Sequence, residues 1–236
     1  MPNKATVILL LAVLVSVGGP ARAQQPQEGT VSLLVEFNSI HIGQHDDLAK
    51  LWPYLDQGTL QGPGANLLKL NGLQMGKLEN RFRKDWEQAY KKVALFQHMP
   101  QTVYVAASRP QLFDLGAELT NWTLFLWDRP DSFTGRRYDR LRFAMELSAA
   151  PLSQDRVEMA ITPILRHGPA LREEVRLQEL SVRTTMVPEE TLILMPADTR
   201  NLGVGAALLG RRPNERRSEG FILITVKGLR MPAAAH

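Results

Sequence analysis

Cysteine is absent from the 236 residues. Its absence excludes disulfides, thiolate metal sites, a cysteine nucleophile and a bacterial lipoprotein anchor. Charge of one sign is scarce as well: 28 Lys and Arg stand against 24 acidic residues, for a formal net charge of +4. Spread over this length, that excess is too weak an electrostatic footprint for a nucleic-acid binder. Aromatic residues make up 7%. Beyond the N-terminal segment there is no apolar run near the ~20 residues a membrane helix needs. What remains is 44% hydrophobic and 22% charged, the balance of a globular chain with a core rather than a disordered one. The length suits one large domain or two small ones.

The N-terminal segment reads as an export signal over residues 1–23. Lys4 supplies a positive start, and residues 5–17 are apolar apart from Thr6 and Ser16. Gly18-Gly19-Pro20 then breaks the run, and Ala21-Arg22-Ala23 has the small-x-small form of a signal-peptidase site. An uncleaved anchor helix is the competing reading, but the run is short for a span. Residues 24–29 (QQPQEG) read as a flexible tether. Export without cysteine fits a bacterial envelope better than a eukaryotic secretory route, where domains of this size usually carry bridges. In that setting the sequon Asn121-Trp122-Thr123 has no glycosylation meaning.

Hydrophobic period divides the rest of the chain. Residues 30–42 (TVSLLVEFNSIHI) are strand-like, with Val31, Leu33, Val35 and Phe37 on one face. Leu48, Leu51, Trp52 and Leu55 predict a helix capped by Asp46 or Asp47 and running to about Gln57, with Pro53 close to its first turns. Residues 67–70 and 73–76 around Asn71-Gly72 predict a short hairpin. Phe82, Trp86, Ala89, Tyr90 and Val93 predict a helix over residues 79–93. The order is β-α-(β-β)-α, a small α/β unit over residues 30–97.

From Gln101 the period becomes two. Strands are expected at residues 102–107, 122–127, 138–147, 156–162, 191–195 and 221–229, with a turn at 149–155. Val175 and Leu177 continue in phase with Leu180, Val182, Thr184 and Met186 only through a bulge near Glu179. Residues 221–229 are apolar on both faces and are expected to be central. Arg140, Arg142, Glu146, Arg156 and Glu158 alternate with the apolar positions, so these strands are not expected to face lipid. The fold class is therefore α+β: the small unit, then an antiparallel, strand-rich β-domain over residues 101–230 and a tail at 231–236.

Residues 141–163 (LRFAMELSAAPLSQDRVEMAITP), 183–195 (RTTMVPEETLILM) and 203–226 (GVGAALLGRRPNERRSEGFILITV) carry a family resemblance. Their order resembles the C-terminal domain of secretins, the ring-forming outer-membrane channels of type II and III secretion and type IV pili. Leu208, Leu209, Gly210, Arg211, Glu219 and residues 221–225 match its closing section. The resemblance spans roughly residues 138–230, and element order alone links residues 30–95 to the small ring-building domains that precede the channel. It implies a secretin-like β-domain in the periplasm or outer membrane that multimerises, or binds envelope proteins, through β-strand edges. The span is short for wall, gate and membrane hairpins together, so an assembly or accessory role is expected rather than a complete channel. A soluble periplasmic module binding a protein or envelope glycan is the alternative.

Catalytic signatures are missing, and no enzyme activity, cofactor or metal is expected. There is no G-x-S-x-G elbow, and Gly203-Val204-Gly205 lacks the third glycine of a dinucleotide loop. His41 and His45 straddle a strand end rather than one helical face, and capping explains Asp46 and Asp47. His98 and His167 fall in expected turns, as do the pairs Glu173-Glu174 and Glu189-Glu190. Trp52 and Trp86 lie on helical core stripes, while Trp122 and Trp127 end one strand and suit a core, a sugar face or a membrane girdle. Arg211, Arg212, Arg216 and Arg217 cluster in seven residues. They read as a contact for an anion or partner, or as a solvated turn that guards a sheet edge.

Overall fold

Two antiparallel sheets and a covering helix follow from which strands are apolar on one face and which on both. The structure is a computed structural model and describes residues 32–42, 49–56, 58, 60, 64–97, 101–107, 109–197, 203–209 and 219–230. The expected export signal, tether and tail lie outside the described residues.

The strands in chain order are β1 (Ser32–Ile42), β2 (Leu55–Asp56), β3 (Leu73–Leu78), β4 (Ala94–Gln97), β5 (Gln101–Ala106) and β6 (Gln111–Arg129). They continue with β7 (Ser132–Pro151), β8 (Val157–His167), β9 (Glu173–Arg176), β10 (Val182–Met186), β11 (Thr191–Pro196) and β12 (Glu219–Arg230). Three α-helices stand among them in the described residues: α1 (Gly64–Leu70), α2 (Arg83–Val93) and α3 (Val204–Leu209).

The first sheet runs β2-β3-β11-β12-β1-β4, with β5 also paired to β1. Strand β12 sits between β11 and β1, the central place expected of a strand apolar on both faces. Ile222, Ile224 and Val226 enter the main core, while Phe221 enters a second cluster on the other face. Strand β11 divides in the same way, with Leu192 and Leu194 on one side and Ile193 and Met195 on the other. The second sheet runs β10-β8-β7-β6, with β9 also paired to β8. Its inward residues Phe143, Met145, Leu147, Met159 and Ile161 are 1% exposed and meet the first sheet to close the main core. Helix α2 covers the outer face of the first sheet, and Trp86 packs edge-on against Phe221 at 6.2 Å between centroids. Burying a side chain such as Phe221 stabilises by roughly 2–3 kcal/mol.

Several expectations change. The boundary at residues 98–100 does not separate two folding units, because β11 and β12 pair with β3 and β1. Residues 67–70 are helical, not a strand. Gly64, Leu67 and Leu68 recur at helical spacing and are buried, and Asn71 N–H donates to the Leu67 carbonyl at 2.9 Å. Gly72, at φ 78, is then the left-handed residue that stops a helix rather than half of a hairpin turn. The helix expected from Leu48 to Gln57 gives way to a 3-10 turn at Trp52–Tyr54 with Pro53 inside it, followed by β2. Leu51 and Leu55 remain buried, so the apolar spacing is used without the helix. Strand β7 begins six residues before the expected Tyr138 and runs on to Pro151. In place of a bulge near Glu179 there is a 3-10 turn at Gln178–Leu180. His167 and the pair Glu173-Glu174 lie in strands β8 and β9 rather than in turns.

Candidate functional site

The chemistry-bearing side chains among the described residues do not converge. Among the described residues no group of three or more His, Asp or Glu is placed to hold a metal ion. The side chain of His41 is not described, and His45, Asp46, Asp47 and His98 lie outside the described residues, as do Arg211, Arg212, Arg216 and Arg217. His167 is buried at the end of β8, with Nδ1 3.2 Å from a Glu173 carboxylate oxygen and its ring beside Tyr138. Trp86 is core, as expected. A cleft of about 290 Å³ beside α2 is lined by Glu36, Arg83, Trp86, Tyr90, Thr191 and Lys227, among others. Its charges are of both signs, and Lys227 lies 3.9 Å from both Glu36 and Glu189, so no one ligand class is selected.

The outer face of the second sheet is a ladder of ion pairs. Arg166 bridges Asp114 at 2.5 Å and Glu174 at 2.9 Å, Arg176 meets Glu146 at 3.1 Å, and Arg183 faces Glu158 at 3.7 Å. Arg140 holds Glu118 with two bonds of 2.5 and 2.9 Å, and those bonds pull the Glu118 carboxyl below its usual range and raise Arg140. Ile164, on this same face, is 0% exposed, so the aliphatic stems of the ladder cover it.

Edges, not clefts, are what the second sheet leaves open. Strand β10 pairs with β8 alone, and β6 with β7 alone. The hairpin of β6 and β7 also extends past its neighbours. Strand β8 joins β7 only from Leu141 onward, so residues 132–140 of β7 pair with β6 alone. The core side of this extension is anchored: Leu124 is buried, and Trp122, Leu126 and Tyr138 pack on the main core. Burial raises the Tyr138 phenol above its usual range.

The edge of β6 near the tip is capped by one side chain. The Asn71 amide donates to the Trp127 carbonyl at 2.9 Å and accepts from the Trp127 N–H at 3.0 Å, as a neighbouring strand would. The backbone groups of Trp127 therefore point away from β7. In an antiparallel ladder, residues directly opposite point the same way, both inward or both outward. Phe133, opposite Trp127, and then Gly135 and Arg137, opposite Phe125 and Thr123, turn their N–H and C=O groups out of the free edge of β7. Residues 133–137 are all exposed. Beside them Phe125, Trp127 and Phe133 form a cluster belonging to neither core, with Phe133 55% exposed and 4.9 Å from Trp127 between centroids.

Trp122 and Trp127 stand out in the sequence, but alternation alone ends one strand at Trp127 and starts the next at Tyr138. The signal available was Pro130-Asp131, a turn pair between two residue runs of matching length.

The fold and site define an α+β two-sheet protein with open strand edges and no assembled reaction centre among the described residues. No protein-family model matches the chain, and no curated protein matches it by sequence. Among solved structures its neighbours include two secretins. The V. cholerae type IV competence pilus secretin PilQ is 8% identical, over 85% of this chain and 59% of that one, with a TM-score of 0.24. The InvG secretin domain β-barrel of the Salmonella SPI-1 injectisome is 12% identical, over 88% of this chain and 64% of that one, with a TM-score of 0.21. The chain thus spans about three fifths of the length of each. These are remote likenesses.

Proposed function

We propose that the protein is an exported, non-enzymatic component of the bacterial envelope that acts in assembly, or as an accessory, of an outer-membrane secretion complex. The observation that carries the reading is the pair of edges on the second sheet that no described strand covers, β10 on one side and, apart from the Asn71 cap at Trp127, β6 on the other. A sheet open at both sides extends from copy to copy through main-chain hydrogen bonds. The order of strands over residues 138–230, which resembles the secretin domain, supports the same reading. The paired charges on the outer face of this sheet suit an aqueous neighbour rather than lipid.

The test is the mass of the purified protein by light scattering after size exclusion, in buffer and in mild detergent. A multimer far larger than a dimer is expected. Replacing Arg183 by Pro removes β10 as a pairing edge and is expected to return the protein to a monomer with its circular dichroism retained. A monomer or dimer in both solutions would sink the assembly reading and leave a periplasmic module that binds a protein or envelope glycan.

A further inference from the structure

We infer that the free edge of β7 at the hairpin tip is a docking strand for an extended, acidic segment of a partner protein. This concerns a different edge from the one that carries the assembly reading, and goes beyond it.

Three observations converge there. Phe133, Gly135 and Arg137 present outward backbone donors and acceptors, as the Asn71 clamp on the opposite Trp127 requires. An added strand satisfies such groups, and alternate side chains then decide which strand is accepted. Three cations around this edge also lack a carboxylate partner. Arg140, Arg142, Arg166, Arg176 and Arg183 each have a carboxylate within 4.0 Å. Arg129, Arg136 and Arg137 have none among the described residues and are all exposed; Arg109, Arg156 and Arg172 also lack one, but only these three gather at one hairpin tip. Arg136 lies over the Tyr138 ring, 5.2 Å from its centroid, which holds it in place. Consecutive strand residues point to opposite faces, so Arg136 and Arg137 meet a carboxylate on either face of an incoming strand. Finally, the exposed aromatic cluster of Phe125, Trp127 and Phe133 supplies the apolar anchor that dominates protein interfaces.

The same features decide between occupants. A lipid surface fails because outward backbone groups have no partner in hydrocarbon, and Asp128 and Asp131 stand at the turn. A second copy fails on β10 and β9 alike: β10 presents Val182, Arg183, Thr184, Thr185 and Met186 with no acid among them, and on β9 the acids Glu173 and Glu174 are already held by His167 at 3.2 Å and Arg166 at 2.9 Å. Arginines used only to guard an edge would not need an exposed aromatic cluster beside them.

The experiment titrates the purified protein by calorimetry with a blocked peptide of Glu-Glu-Val-Val repeats, then with its Lys-Lys-Val-Val counterpart. The amide resonances of Phe133, Gly135 and Arg137 are followed by NMR. The acidic peptide is expected to bind and to shift those amides, and the basic peptide to bind roughly 10-fold more weakly or not at all. Reversing both charges, Arg136→Glu with Arg137→Glu, is expected to reverse the preference. Arg137→Pro, which removes an outward N–H and leaves the ladder to β6 intact, abolishes binding. Equal binding of both peptides, no shift of the three amides, or binding that survives Arg137→Pro overturns the inference. So does binding to phosphatidylglycerol vesicles without peptide binding. The unmodified protein alone decides the first two outcomes, so a variant that fails to fold does not shield the proposal. Peptide binding is read independently of particle mass, so its failure is distinct from failure of the assembly reading.

Discussion

Asn71 and Gly72 join four elements at one point. The Asn71 side chain donates to the Leu67 carbonyl in α1 as well as to Trp127 in β6. Its carbonyl accepts from Gly205 N–H in α3 at 2.8 Å, and the Gly72 carbonyl accepts from Ala197 N–H, just past β11, at 2.7 Å. The close approach of α3 requires glycine, since a Cβ on Gly205 would overlap the Gly72 carbonyl. With Asn71 0% exposed, Asn71→Ala leaves buried groups unpaired and is expected to cost about 2–4 kcal/mol. Gly205→Ala forces backbone apart at the same place and is expected to cost about 2–3 kcal/mol. Urea denaturation measures both, and a loss under about 1 kcal/mol for Asn71→Ala would rule out the clamp. Glu118 gives a second prediction. Its folded pKa is depressed by the Arg140 bonds, so its contribution is present above the unfolded carboxylate value and is lost as pH falls through the lower folded one. Glu118→Gln is therefore expected to lower the urea midpoint at neutral pH and to match the parent protein in strong acid. A gap between the two that is constant with pH would refute the pairing.

Among elements, the strand faces set the outcome more than local propensity does. Ile164 shows it: a residue on the outer face of β8 would be exposed, yet the ion-pair ladder across β6, β7, β8 and β9 buries it fully. Ile164→Ala is expected to cost about 2–4 kcal/mol, as at a core site, where an exposed strand position changes stability by about 0.5 kcal/mol or less. Thermal melts of the two proteins read the difference directly. Alternation made β8, β10 and the second half of β7 legible from sequence, a short apolar run marked β11, and the two-faced run at residues 221–229 located β12 as a central strand. Residues 67–70 were not legible, because a short apolar run fits helix and strand equally. Asn71-Gly72 serves a helix stop as readily as a hairpin. The docking edge was hidden for a different reason. Residues 132–137 alternate without apolar contrast, and only the point where β8 leaves β7 creates a free edge there. That point is fixed by pairing between distant residues, such as Leu141 with His167.

For the whole molecule, the order of strands in the first sheet decides what can fold alone. Strand β1 is paired with β12 along its length, from Ser32 opposite Arg230 to Ile42 opposite Glu219, and β3 is paired with β11 over all six of its residues. A chain ending near residue 100 would therefore keep α1, α2 and β3 but expose both faces of a sheet that has lost its centre. Its second cluster would lose Ile193, Met195 and Phe221, leaving Trp86 stacked on Tyr90 but without the sheet beneath it. Such a fragment lacks the buried area to offset the entropy of ordering its backbone. It is expected to show no cooperative melt and collapsed amide dispersion by NMR, while the full chain melts in one transition. The complementary cut predicts the same loss from the other side: removing residues 219–230 takes the strand that both halves share, and is expected to unfold β1 and β11 together. If residues 30–97 instead gave a dispersed spectrum alone, the small α/β unit would be a domain after all, with β12 added to a sheet already formed. Pairing across nearly the full length of the chain also makes folding slow, on the order of milliseconds to seconds. During that time β10 and the β7 tip are exposed as open edges, so refolding at rising protein concentration is expected to lose yield. Arg183→Pro is expected to recover part of that yield, because it closes one of the two edges before the sheets meet.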